Sequence, residues 1–175
     1  MADPEVKKDG SFITLLLRYI LLFMLASFIG WLYEIICVRI WLGVFVDRGV
    51  LHLPMCPIYG FGMLTLLAIF RKVKDPLLLF LGSALVTTVI ELAASYILEY
   101  CFHLSLWSYA GWPLTFQDRI SAISSGIFGL MSVLFICLVK PPVDKLFASR
   151  YKSYAAAAVG VLTAFCVIWE LHFYL

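Results

Sequence analysis

Five apolar stretches, set apart by short clusters of charge and proline, leave this chain little choice of solvent. The first runs from Phe12 to about Trp41 and the second from roughly Pro57 to Phe70. The third runs from Pro76 to about Phe102, the fourth from Ile120 to Val139 and the fifth from about Tyr154 to Tyr174. A helix crossing a ~30 Å hydrocarbon core needs about 20 such residues. Four of the stretches meet that length; the second, at some 21 Å by the rise of a helix, falls short. With 63% hydrophobic and 14% charged residues, a soluble domain of 175 residues would lack the polar surface to stay in water. The chain is therefore expected to be all-α, a polytopic helical membrane bundle of five segments, the second short or re-entrant. The bilayer is its first partner.

Met1–Ser11 is short, polar and of mixed charge, and no small-residue cleavage site follows the first apolar run. That run reads as a retained helix, with residues 1–11 a cytoplasmic tail and 12–175 one transmembrane helical domain. Positive charge sets the orientation. Lys7 and Lys8, then Arg71, Lys72 and Lys74, then Lys140, Lys145, Arg150 and Lys152 all fall on one side if the second segment crosses. The other side holds Arg39, Arg48 and Arg119, and Arg18 lies within the first segment. By the positive-inside rule the N-terminus is cytoplasmic and the C-terminus outside. A net charge of +2 without a basic run gives no footprint for nucleic acid.

Ionisable residues inside a membrane are costly and usually face the bundle interior. Glu34 lies in the outer part of the first helix, and Glu91 about 15 residues into the third, with Glu99 two turns further. Glu170 is near the end of the fifth. Ser83, Thr87, Glu91, Ser95 and Glu99 recur every four residues, one polar stripe on one helix face. Small residues three or four apart (Ser27 and Gly30; Ser121, Ser125 and Gly129; Ala156, Gly160 and Ala164) let helices approach closely, against each other or as a homodimer. Local ion pairing with Arg39 or Arg48 would account for Glu34, and simple hydration for Glu99.

The connection Asp47–Gly62 contains Pro54 and Pro57, which interrupt a helix, and Gly60 and Gly62, which permit close backbone approach. Irregular backbone at membrane depth survives only where protein or a water-filled cavity satisfies it, as at transporter sites. The connection His103–Gln117 carries Trp107, Tyr109, Trp112 and Phe116, a density suited to the membrane interface, and is expected to lie on or fold into the bundle.

The run Gly30-Trp31-Leu32-Tyr33-Glu34, the pair Arg48-Gly49 and the run Cys56-Pro57-Ile58-Tyr59-Gly60-Phe61-Gly62 resemble the type IV ABC-transporter permease family of CmpB-like bacterial membrane proteins. Trp107-Ser108-Tyr109, Pro113-Leu114, Arg119-Ile120 and Phe128-Gly129 are similar to that family's second signature. The resemblance implies a bacterial inner-membrane protein with a permease role. Ser108 stands where the family usually has Asp, Thr115 where Asn is expected, and Leu53 where a Gly is usual.

Three functions follow. The first is a permease or transport-related protein whose outer cavity binds a small polar or cationic solute through Glu34, Arg48, Cys56, Tyr59, Glu91, Glu99, Trp107, Tyr109 and Arg119. Carboxylates would supply negative charge, arginines a counter-ion and aromatic rings the walls. The second is a membrane-embedded enzyme acting on a lipid or a lipid-soluble substrate, with Glu91 or His52 as base and Cys56 as nucleophile or redox group. The five cysteines form no CxxC pair, and neither HExxH nor GxSxG occurs, so the sequence leans against an enzyme and assigns no catalytic or metal-binding residue. No cofactor is indicated. The third is a membrane subunit that docks on a separate nucleotide-binding protein, because the chain lacks the GxxxxGK[ST] phosphate loop. Lys140–Ser153, with Pro141 and Pro142, would be the docking surface, or else a solvated loop whose charge only sets orientation.

Overall fold

A computed structural model describes residues 9–43, 51–173 and 175. Its elements are α1 (Asp9–Leu42), α2 (Pro57–Ile69), α3 (Pro76–Phe102), β1 (Thr115–Phe116), β2 (Ile120–Ser121), α4 (Ala122–Leu134), a π-helical turn (Phe135–Val139), α5 (Lys140–Ala148) and α6 (Lys152–His172). Among the described residues, four continuous helical stretches are long and apolar enough to cross a membrane: Phe12–Ile40, Pro76–Phe102, Ala122–Ala148 and Lys152–His172. Helix α2 is the shorter apolar fifth, about 20 Å long. The burial pattern is that of a protein dissolved in lipid. Ile40, Leu85, Val161 and Ile168 are 67–74% exposed, while Ser27, Ser83 and Ser124 are fully buried. Apolar surface here faces outward, and small polar residues serve close helix packing.

The chain divides into two compact units. The first comprises residues 1–64 and 139–175. In it α1 packs against α5 and α6. The start of α2 is keyed to α1 by two glycines: a Cβ on Gly30 would fall 2.1 Å from Tyr59 Cγ, and one on Gly60 would fall 2.4 Å from Ser27 Oγ. The bent, non-helical residues before α2 are anchored by the Cys56 N–H, which donates to the Ser27 carbonyl at 3.0 Å. Broken backbone is thus satisfied by protein, as burial away from water requires.

The second unit comprises residues 65–138. Asp75 caps α3, its side chain accepting from the Leu78 N–H at 2.8 Å, with Pro76 at the first helical position as the sequence predicts. Gly129 lets α4 lie against α3, for a Cβ there would sit 3.0 Å from the Phe80 carbonyl oxygen. Thr88 Oγ1 donates to Ser125 Oγ across the same contact at 2.5 Å.

Two local features differ from expectation. The fourth helix begins at Ala122, two residues later than the apolar run, because Ile120 and Ser121 pair with Phe116 and Thr115 and Ser121 then caps the helix. Lys140–Ala148 is helical rather than a loop. Pro141 and Pro142 lack N–H groups, so carbonyls one turn earlier would lose their partners. The wide π-helical turn precedes them and absorbs the mismatch.

Candidate functional site

The stripe on α3 is the frame of the site in the second unit. Its inner members are structural: Ser83 is buried, and Thr87 Oγ1 donates back to the Ser83 carbonyl at 2.8 Å. Glu91 meets the aromatic connection through Tyr109, and Ser95 and Glu99 meet Arg119 just beyond it. Glu91, 7% exposed, accepts at Oε1 from the Tyr109 hydroxyl at 2.5 Å. Ser124 Oγ, fully buried on α4, lies 2.7 Å from the same hydroxyl oxygen. A phenol has one proton, so when Tyr109 donates to Glu91, Ser124 donates to Tyr109. If Glu91 carries a proton the chain can run the other way, from Glu91 through Tyr109 to Ser124. Aligned hydroxyls of this kind polarise one another in a medium of low dielectric. Trp112 stands edge-on to Tyr109, ring centroids 5.4 Å apart.

About 12 Å further along α3, two turns on, Glu99 pairs with Arg119. Arg119 also donates from Nη1 to Ser95 Oγ at 2.7 Å, and its guanidinium lies 4.4 Å over the Tyr96 ring. Trp107 Nε1 donates to the Arg119 carbonyl at 3.1 Å. A tight turn aims this arginine. Arg119 N–H bonds the Phe116 carbonyl, and the intervening Gln117 and Asp118 both take positive φ, 53° and 54°, as in a type I′ hairpin turn. The recess that Glu99, Trp107 and Arg119 line encloses only about 10 Å³, the space of a single water. Arg119 therefore acts first as a clasp that holds the aromatic connection to α3.

In the first unit, Tyr59 donates to Glu34 Oε1 at 2.6 Å, with the Tyr33 ring edge-on to Tyr59 at 6.3 Å. A tyrosine 25 positions away is thus a partner of Glu34, while Arg39 donates to the Gly43 carbonyl. Cys56 is buried. Glu170 accepts from the His52 N–H at 2.6 Å and approaches His52 Nδ1 at 3.1 Å. Arg48 lies outside the described residues.

The structure thus brings Glu91, Glu99, Trp107, Tyr109 and Arg119 together in one unit, and Glu34, Cys56 and Tyr59 in the other. Sequence reasoning missed Ser124 and Trp112 as site members. Ser124 lies one residue off the Ser121–Ser125 ridge, and only its spacing of three from Ser121 hints at a shared face.

Four membrane-length helices, a short fifth, and a carboxylate buried on a membrane helix define a multi-pass helical membrane protein. Residues 21–172 match the model of the family described as "Putative ABC-transporter type IV", and the chain belongs to that family. No match is found among curated proteins or among solved structures.

Proposed function

We propose that this protein is a transport-related membrane component that binds a small polar cation, with Glu91 as the anionic anchor. The observation that carries this reading is a carboxylate only 7% exposed on a membrane-length helix, reached by a hydroxyl chain from a separate aromatic connection. Such a group costs several kcal/mol to keep in lipid and is by default functional. Tyr109 and Trp112 supply ring faces that attract a cation, and Glu91 the charge. Because the hydroxyl chain can reverse, Glu91 can release a cation and take a proton without losing its bond to Tyr109. The Glu99–Arg119 clasp positions Tyr109 by tying the connection to α3.

The lysine and arginine distribution supports a cytoplasmic N-terminus, with the site toward the outer face, and the family resemblance implies a bacterial inner membrane. Any use of ATP falls to a separate nucleotide-binding subunit, since the sequence carries no phosphate loop. A thiol-based enzyme gains no support: the bond that ties Cys56 to α1 uses its backbone N–H.

The test is thermal stabilisation of the purified chain in nanodiscs by tetramethylammonium, choline and spermidine, with succinate and glucose as controls. At least one cation should stabilise the wild type, and Glu91→Gln should weaken its binding about 30-fold. That corresponds to the loss of one charge-assisted contact of about 2 kcal/mol. The variant keeps an acceptor for Tyr109 and should express normally. Equal stabilisation of the variant, or none of the wild type by any cation, refutes the assignment.

A further inference from the structure

We propose that Arg18, Lys140 and Asp144 form a headgroup site for an anionic phospholipid at the edge of the first unit. Arg18 interrupts the apolar face of α1, where a guanidinium needs a partner. Counting from it, Tyr19–Ile40 alone spans about 33 Å, the thickness of the hydrocarbon core, so Arg18 falls at the headgroup boundary. Along the continuous helical stretch that begins at Ala122, eighteen residues, about 27 Å, precede Lys140. Lys140 therefore reaches a headgroup boundary as well.

Both cations meet at one carboxylate. Arg18 Nε lies 2.9 Å from Asp144 Oδ1, and Lys140 Nζ pairs with Asp144 Oδ2 one turn along α5. All three side chains are partly exposed, at 23–30%. Two cations against one anion leave a net positive charge. The Nε edge of Arg18 faces Asp144, and its Nη fork makes no hydrogen bond to the described residues. That fork is the planar donor pair that suits a phosphate. The ring of Tyr19 lies against the guanidinium, 5.2 Å from its carbon, and limits its swing. Val143 and Phe147 of α5 are buried, which seats the helix so that Asp144 holds both cations in place. A phosphodiester with acyl chains fits a positive fork at the lipid boundary. A soluble anion would gain nothing from that depth.

The experiment titrates the full-length protein in detergent with phosphatidylglycerol and with phosphatidylcholine of matched chains, reading bound lipid by native mass spectrometry. Wild type should prefer phosphatidylglycerol at least tenfold. Arg18→Gln should lose that preference, Lys140→Gln should lose part of it, and Lys145→Gln, a charge control outside the cluster, should keep it. Asp144→Asn removes the competing charge while keeping a polar group between the two cations, and should tighten phosphatidylglycerol several-fold, an outcome that a purely structural ion pair would not produce. Equal binding of the two lipids by wild type, or full preference in Arg18→Gln, overturns the proposal. If Arg18→Gln does not fold, unchanged preference in both Lys140→Gln and Asp144→Asn overturns it. Millimolar inorganic phosphate should leave phosphatidylglycerol binding unchanged; displacement would assign the site to a soluble anion instead.

Discussion

Replacing Gly30 with alanine asks whether the Gly30–Glu34 and Cys56–Gly62 runs are one mechanical device. The added Cβ would lie 2.1 Å from Tyr59 Cγ, 2.3 Å from Cδ2 and 2.6 Å from Cβ, distances no relaxation of Tyr59 in place can accept. The ring must leave. Overpacking of this kind costs about 1–3 kcal/mol. Moving Tyr59 also breaks its 2.6 Å bond to Glu34, a loss of about 1.5–3 kcal/mol for a charged acceptor. Alanine returns about 1 kcal/mol in helix propensity, leaving a net loss of about 2–5 kcal/mol. At about 2–4 °C per kcal/mol, the melting temperature should fall by on the order of 10 °C. Thermal unfolding in detergent micelles, followed by tryptophan fluorescence, reads this directly. Gly62→Ala is the control, since a Cβ there meets nothing within 4 Å. The double variant Gly30→Ala, Tyr59→Gly removes all three contacts, the Cβ included, and should be less damaged than the sum of its parts by about 2 kcal/mol. A Gly30→Ala protein melting within about 2 °C of wild type, or strict additivity in the double variant, would refute the reasoning.

Gly129→Leu should separate α4 from α3, because the Phe80 carbonyl 3.0 Å from the new Cβ belongs to a helix and cannot yield. A loss of about 3 kcal/mol in chemical denaturation is expected. Arg119→Gln should leave the helices intact but raise amide exchange across residues 104–118 at least several-fold, since it cuts the ties to Glu99 and Ser95 together. Exchange unchanged in that segment would remove the clasp. Cys56→Ala keeps the backbone bond to Ser27 and loses a small buried side chain, so about 1 kcal/mol of stability and no cation binding should be lost in the nanodisc assay.

Much of this arrangement was legible in the chain because the bilayer demands it. Segment lengths follow from hydrocarbon thickness, and Asp75-Pro76 marks a helix start by capping chemistry alone. The four-residue repeat ending in Glu91, Ser95 and Glu99 put the carboxylates of the candidate site on one face of one helix. What stayed hidden depends on contacts between distant positions. Tyr59 reaches Glu34 because Gly30 clears its path, and no local charge rule would pair them. Two-residue strands such as Thr115–Phe116 and Ile120–Ser121 are too short to leave a period. Pro141 and Pro142 read as a break, yet a π-helical turn carries the helix through them, a compensation written in backbone geometry rather than in residue type.

The central claim is that Glu91 holds a cation. A structure of the wild-type protein in nanodiscs, determined with the cation that stabilises it best, tests that claim most directly. Density for the bound cation should lie within about 4 Å of the Glu91 carboxylate and against the rings of Tyr109 and Trp112. A cation resolved elsewhere in the protein, with Glu91 still bonded only to Tyr109 and its neighbours, would contradict the account.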